Sequence, residues 1–192
     1  NQRAVELDNL KSQLNPHFLF NTLNTIYVLI AVAPDKAQGA VHRLSGLLRY
    51  MLYEDTANVM LSQEADFIEN YVSLMRLRLS GRETHLSIDI DNHGQDNVPP
   101  LLFIPLVENA FKYGVNTHDD TPVSVKLYID GQYAVCTTTN SYEPNSNDQD
   151  PHSSGIGLAN LRRRLSLIYG NKASLSTTAD GHFYTATLRI PL

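Results

Sequence analysis

LLFIPLVENAFKYG, residues 101–114, is the stretch on which the reading of this chain turns. Pro99 and Pro100 precede it, and its pattern predicts a helix from about Leu101 to Gly114. On such a helix Asn109, Lys112 and Tyr113 lie within one turn of each other and share a face. Glu108 and Asn109 offer hard oxygens and Lys112 a cation. That set suits Mg²⁺ and a polyphosphate. A solvated polar face that binds nothing is the plainer alternative for the same string.

Around this helix the pattern is mixed. Thr84 to Asp91 alternates as a strand does. Residues 122–133 and 133–139 alternate about Asp130 and Gly131, a hairpin signal. SYEPNSNDQDPHSSG, residues 141–155, has almost nothing to bury, and a loop of that length reads as a lid. It ends in Gly155, Ile156, Gly157 and Leu158, at the start of a helix expected from Ile156 to Tyr169. Glycines there let backbone N–H groups approach an anion, and the helix dipole favours one. Glycine before a helix also serves simply as a turn, so this signal is weak alone. A second hairpin turns at Asp180 and Gly181. Residues 81–192 therefore read as an α/β sandwich, one mixed sheet with helices on one face.

The first 80 residues are helical in pattern. KSQLNPHFLFNTLNTI, residues 11–26, carries Pro16 directly before His17. A proline inside a helix costs roughly 3 kcal/mol, so a break just before a histidine raises a functional question. The plainer reading makes Pro16 the first residue of a helix capped by Asn15. His17 then simply continues the Leu7, Leu10, Leu14 face. The first helix is expected from Gln2 to Val32, broken at Pro16 and stopped by Pro34. A second, from Asp35 to Tyr53, carries Ala37, Val41, Leu44, Leu48 and Met51 on one stripe. A third, from Ser62 to Leu79, turns Ile68, Val72, Met75 and Leu79 inward. The first two form an antiparallel hairpin with more apolar surface than one hairpin buries, which predicts a homodimer. The fold class is α+β: residues 1–80 a helical dimerisation unit, residues 81–192 the sandwich.

Composition narrows the classes. Fifteen Lys and Arg against 20 Asp and Glu give a net charge of −5, which argues against nucleic acid or an anionic membrane surface as partner. The single Cys136 excludes a disulfide framework and fits a reducing compartment. The longest apolar stretch, around Ile26 to Ala33, falls short of the roughly 20 residues that span a bilayer. The chain starts at Asn1 rather than Met, so a fragment of a longer protein is expected, with any membrane region lying upstream.

LNPHFLFNTLNTI, LSGLLRYML, PLVENAFKYG, GIGLANLRRRL and IYG, in this order and spacing, resemble the cytoplasmic part of the LytS-type sensor histidine kinases over nearly the whole chain. The resemblance implies a phosphoacceptor histidine domain followed by a GHKL-type (Bergerat) ATP-binding domain. It implies ATP and Mg²⁺ as cofactors and a bacterial inner-membrane protein of which this is the cytoplasmic portion. It also implies a response regulator as partner, often with a LytTR DNA-binding domain. His17 resembles the phosphoacceptor and Asn109 the Mg²⁺ ligand. Lys112 and Tyr113 match phosphate- and nucleotide-facing positions. Gly155 and Gly157, with Leu158 after them, match the end of the lid that contacts phosphates. Glu108 is the candidate to orient a water or the incoming imidazole.

One departure stands out. The DxGxG stretch whose aspartate reads the adenine amino group is absent, and Asn140 occupies that position as a neutral acceptor. No acidic residue follows His17 directly. These departures leave two rivals to autophosphorylation and transfer to a response-regulator aspartate. One is a GHKL ATPase. The other is a degenerate, non-catalytic nucleotide-binding regulator acting through its helical hairpin.

Overall fold

The computed structural model describes residues 16–79, 84–114, 123–142 and 156–192. Helix α1, Pro16–Val32, has Pro16 as its first described residue, and the helix before it expected from the sequence lies outside the described residues. The Thr22 and Thr25 hydroxyls donate back to the carbonyls of Phe18 (2.7 Å) and Asn21 (2.9 Å), which keeps two polar side chains satisfied within the helix. Only Ala33 separates α1 from α2, Pro34–Tyr53. Its N–H donates to the Leu29 carbonyl at 2.7 Å and its carbonyl accepts from Ala37 at 3.1 Å, so one helix ends and the next begins on the same residue. Pro34 fits because its missing N–H would have had no partner in a first turn.

Helix α2 buries Ala37, Ala40, Leu44, Leu47 and Met51. The stripe expected from sequence included Val41 and Leu48 instead of Ala40 and Leu47. Val41 is 50% exposed and Leu48 only half-buried. Both sets have helical spacing. Each alternates steps of three and four, and the one that wins faces α1 and α3 (Leu61–Arg78) together.

Two short strands unforeseen in the sequence, β1 (Val59–Met60) and β3 (Asn97–Val98), pair antiparallel at the start of α3. Each holds only two residues, too few to show a period. The same corner satisfies first-turn donors of α3: Leu61 N–H reaches Asp96 (2.7 Å) and Ser62 N–H reaches Gly94 (2.9 Å). The Gln63 side chain accepts from the Met60 N–H at 2.9 Å, one arm of a capping box. Ile68, Val72 and Met75 are buried as expected, and Leu79 is half-buried just past the helix. Helix α3 packs on α1 and α2 on one side and on β2 (Thr84–Asp89) and α4 (Ile104–Gly114) on the other.

Among the described residues the main sheet has five strands in the order β2-β4-β5-β7-β6, with β4 Val123–Asp130, β5 Tyr133–Ser141, β6 Ser174–Ala179 and β7 Phe183–Pro191. β2 runs parallel to β4 and the other pairs are antiparallel, so the sheet is mixed. The two expected hairpins are β4–β5 and β6–β7. Gly131 and Gly181 supply positive φ at their turns, 60° and 95°. Register aligns Leu127, Cys136 and Leu188 across three strands, each fully buried. Helices α4 and α5 (Ile156–Tyr169) join α3 over this core.

One apolar face stays bare. Phe20, Leu23, Tyr27 and Ile30 recur along α1 at steps of three, four and three residues and are 64, 47, 78 and 60% exposed. Among the described residues, no helix is long and apolar enough to cross a membrane.

Candidate functional site

The site is built on α4, which begins at Ile104, three residues later than the sequence suggested. The delay has a local cause. Leu101 adopts φ 60°, the left-handed region that side chains other than glycine rarely enter, so the helix cannot extend back through it. The outer face of α4 presents Glu108 and Asn109, both half-buried, and Lys112, which is exposed. The Lys112 ammonium lies 5.3 Å from the centre of the Tyr113 ring, and Tyr113 itself is buried. Burial pushes the Glu108 carboxyl up from 4.5 to about 7. A group with that affinity exchanges protons readily near neutrality.

The end of α4 abuts the sheet at one point. A Cβ on Gly114 would come within 2.8 Å of Val123 Cγ2 and 3.0 Å of Asn140 Cβ, so only glycine lets the helix meet β4 and β5 here. Asn140 thus stands beside the Lys112–Tyr113 turn. It is buried within β5, opposite Tyr184, not in a turn. Its Nδ2 donates to the Ser141 carbonyl at 3.0 Å, which fixes the amide and leaves Oδ1 as its accepting atom.

Helix α5 packs on α4. Among the described residues nothing lies within 4 Å of the Cβ position of Gly157, which leaves its backbone open to approach from them. Leu158 is 2% exposed and points into the core, so any contribution it makes to a ligand runs through its backbone. Gly155 and residues 143–154 of the expected lid lie outside the described residues. Ser141 and Tyr142, which the sequence assigned to that loop, belong to the sheet margin. Ser141 ends β5, and Tyr142 donates its N–H to the His182 carbonyl at 3.1 Å while its hydroxyl accepts from Gly181 at 3.0 Å.

His17 is exposed at the first turn of α1. Its neighbour Phe18 is buried, stacked on Tyr71 of α3 with ring centres 4.9 Å apart, and Tyr71 meets Phe111 of α4 edge-on at 5.9 Å. A run of three rings therefore joins the histidine's helix to the Asn109 helix. Offset and edge-on pairs of this kind contribute about 0.5–1.5 kcal/mol each beyond their burial. Tyr71 and Phe111 fit the sequence simply as apolar positions, so their connecting position was not legible there.

Sequence reasoning also missed Glu64. It is 1% exposed among apolar neighbours. Its Oε2 accepts from the Tyr50 hydroxyl at 2.6 Å and its Oε1 from the Leu102 N–H at 3.1 Å. Desolvation raises its pKa from 4.5 to about 7, against the lowering effect of those two hydrogen bonds and of Arg164. The folded chain therefore holds this proton more tightly than the unfolded chain does. Stability from Glu64 is fully present below pH 4.5 and is lost as pH rises through about 7. The loss is on the order of 3 kcal/mol for a shift of that size. Urea unfolding at about pH 5 and about pH 8 should show a clearly weaker fold at the higher value. Glu64→Gln should flatten the difference, apart from the Glu108 share, which has the same sign. An unchanged slope in Glu64→Gln would contradict the assignment.

Residues 5–83 match the family model described as Histidine kinase. The chain is 29% identical over 185 residues to the sensor protein kinase HptS of Staphylococcus aureus strain USA300, an alignment covering 90% of this chain and 35% of that protein. The same figures hold for HptS of strain NCTC 8325 / PS 47. The chain spans about a third of the length of these curated relatives. In fold it is similar to the histidine kinase domain of the Erythrobacter litoralis EL346 blue-light activated histidine kinase, with a TM-score of 0.53 at 18% identity over 100% of this chain and 95% of that one. A bacterial phosphotransferase solved at 1.7 Å aligns with a TM-score of 0.52 at 11% identity, over 97% of this chain and 95% of that one. The α+β arrangement of helices followed by a mixed sheet matches the fold of that histidine kinase domain.

Proposed function

We propose that the chain is the phosphoacceptor and ATP-binding portion of a two-component sensor kinase, which autophosphorylates on His17 and passes the phosphoryl group to an aspartate of a response regulator, one of LytTR type being the partner class the motifs favour. The observation that carries this reading is the gathering of Asn109, Lys112 and Tyr113 on one helix whose end meets Asn140, in a chain that also presents an exposed His17. The division proposed is residues 1–80 for the acceptor and 81–192 for ATP, with α3 the wall between them. The intact protein is proposed to be anchored in a bacterial inner membrane through a region upstream of this chain.

The residues fit Mg²⁺ held chiefly by substrate. Among the described residues no group of three or more His, Cys, Asp or Glu side chains could hold a metal ion alone. Mg²⁺ commonly takes one or two protein oxygens and fills its shell with phosphate oxygens and water. Asn109 Oδ1 would be the protein ligand, and the ion supplies charge neutralisation at the phosphates. Lys112 pairs with phosphate oxygens. Gly157 and the Leu158 backbone offer N–H groups at the start of α5, and Gly155 is the third residue proposed to contact the phosphates. A neutral imidazole nitrogen of His17 attacks the γ-phosphorus, a P–N bond forms, and the P–O bond to ADP breaks. The other imidazole nitrogen then sheds its proton, and Glu108 is the residue proposed to orient the ring or take that proton. His17 reaches the nucleotide by domain movement or from the second protomer of a dimer.

Incubation with γ-labelled ATP and Mg²⁺ tests the reading. Acid-labile, base-stable label on the chain supports the kinase. Free phosphate without label points to a GHKL ATPase, and neither product points to a non-catalytic regulator. The bare α1 stripe supports a homodimer, which sedimentation at high concentration should detect. A strictly monomeric chain would count against it.

Asn140 is proposed to read the adenine amino group. Its fixed amide leaves Oδ1 to accept that proton, but without charge, so binding should be weak and base selectivity loose. Asn140→Asp should tighten ATP by up to about tenfold and sharpen preference over GTP. Titration of both nucleotides into both forms decides it. Unchanged affinities would mean that Asn140 does not touch the base.

A further inference from the structure

We propose that Glu64 is a positioning residue that couples the helical hairpin to the nucleotide helix, gripping Tyr50 of α2 with one carboxyl oxygen and the Leu102 N–H at the entrance to α4 with the other. The inference rests on reading α4 as the nucleotide-binding helix. Three observations carry it. First, Glu64 is buried on the inward side of the first turn of α3, where an apolar residue would cost nothing in desolvation. The acid is instead used as a two-sided acceptor, and its partners lie 14 and 38 residues away in sequence, on different elements. Second, the Leu102 bond holds a strained segment. Leu101 sits at φ 60°, and Arg164 of α5 donates to its carbonyl at 3.3 Å, so the turn that aims α4 is clamped from two helices. Third, the Tyr50 ring is itself fixed, stacked on Phe67 with centres 5.0 Å apart, so its hydroxyl cannot yield without α2 shifting against α3. A helix moves as a rigid body. A shift of α2 therefore pulls on Glu64 and, through the Leu102 turn, on the helix that carries Asn109 and Lys112. The same linkage runs backward, and nucleotide binding at α4 stiffens α2.

The test follows amide hydrogen exchange in the 192-residue chain with and without Mg²⁺ and a non-hydrolysable ATP analogue. In the unmodified chain the analogue should slow exchange in α4 and also in the second half of α2. Tyr50→Phe removes one hydroxyl and keeps the ring. It should leave the α4 response intact and reduce the α2 response by about fivefold, the scale of one lost hydrogen bond. Glu64→Gln should retain both responses, because its amide oxygen accepts from Leu102 and its NH₂ donates to the Tyr50 oxygen. Full α2 protection in Tyr50→Phe would overturn the coupling. So would loss of the α4 response together with analogue affinity in that variant, since that is what a merely structural role predicts. Absence of any α4 response in the unmodified chain would instead overturn the nucleotide-helix reading, and the coupling with it.

Discussion

His17→Gln is expected to remove all acid-labile, base-stable label from the chain while leaving ATP binding unchanged. The side chain is exposed at the start of α1, so its replacement opens no cavity, and the fold should lose less than about 0.5 kcal/mol. Glutamine keeps polarity and approximate length but offers no nucleophilic nitrogen lone pair, because its amide nitrogen is delocalised. Binding is proposed to reside on α4 and β5, elements that His17 does not belong to. A titration should therefore superpose on that of the unmodified chain. Label that persists in the variant would move the acceptor to another of the seven histidines.

Asn109→Ala carries the second large effect and separates chemistry from folding in the other direction. If Asn109 Oδ1 is the protein ligand of Mg²⁺, its loss removes metal-borne neutralisation of the charge that develops on the transferring phosphoryl group. Such neutralisation amounts to several kcal/mol, so autophosphorylation should fall by at least about a hundredfold. The residue is half-buried on the outer face of a helix, and alanine is the best helix former, so melting should hardly change. Near-normal phosphorylation at limiting Mg²⁺ would show that the ion is held elsewhere. A large fall in melting temperature would assign Asn109 a structural part instead.

Much of the fold was legible because long periodic segments speak for themselves. Helix α5 was placed at Ile156–Tyr169, and α2 and α3 to within a residue at most boundaries. The two hairpins were marked by their Asp-Gly turns. What escaped has specific causes. Strands β1 and β3 hold two residues each and exist only through each other. The Leu101 turn delayed α4 because its left-handed backbone is held by Glu64 and Arg164, residues far away in sequence. The stripe on α2 differs from the expected one at two positions because Val41 and Leu48 are at least as apolar as Ala40 and Leu47, and only the packing partners decide between them.

The site divides in the same way. Asn109, Lys112 and Tyr113 were expected to share one helix face, with Asn140 just past a strand; α4 carries Asn109 half-buried, Lys112 exposed and Tyr113 buried, and Asn140 lies inside β5. The need for glycine at position 114 arises from a contact between elements, α4 against β5, and neither it nor the lock on the Asn140 amide by Ser141 is encoded in a local pattern. Glu64 did leave a trace: it lies three residues after Leu61 and four before Ile68, on the inward stripe of α3. An acid on a buried stripe is a query that sequence raises and only partners answer. Here the partners are Tyr50 and Leu102.

Cys136 has a practical consequence. The thiol lies at the middle of the central strand, wholly enclosed, with its pKa pushed up to about 12 by burial. Alkylating reagents need both access and thiolate, and the native chain supplies neither. A thiol dye should therefore stay dark on the intact protein and light up only when the core between the sheet and its helices opens. The chain thus carries its own single-site clock for the opening of the core, readable without an engineered label.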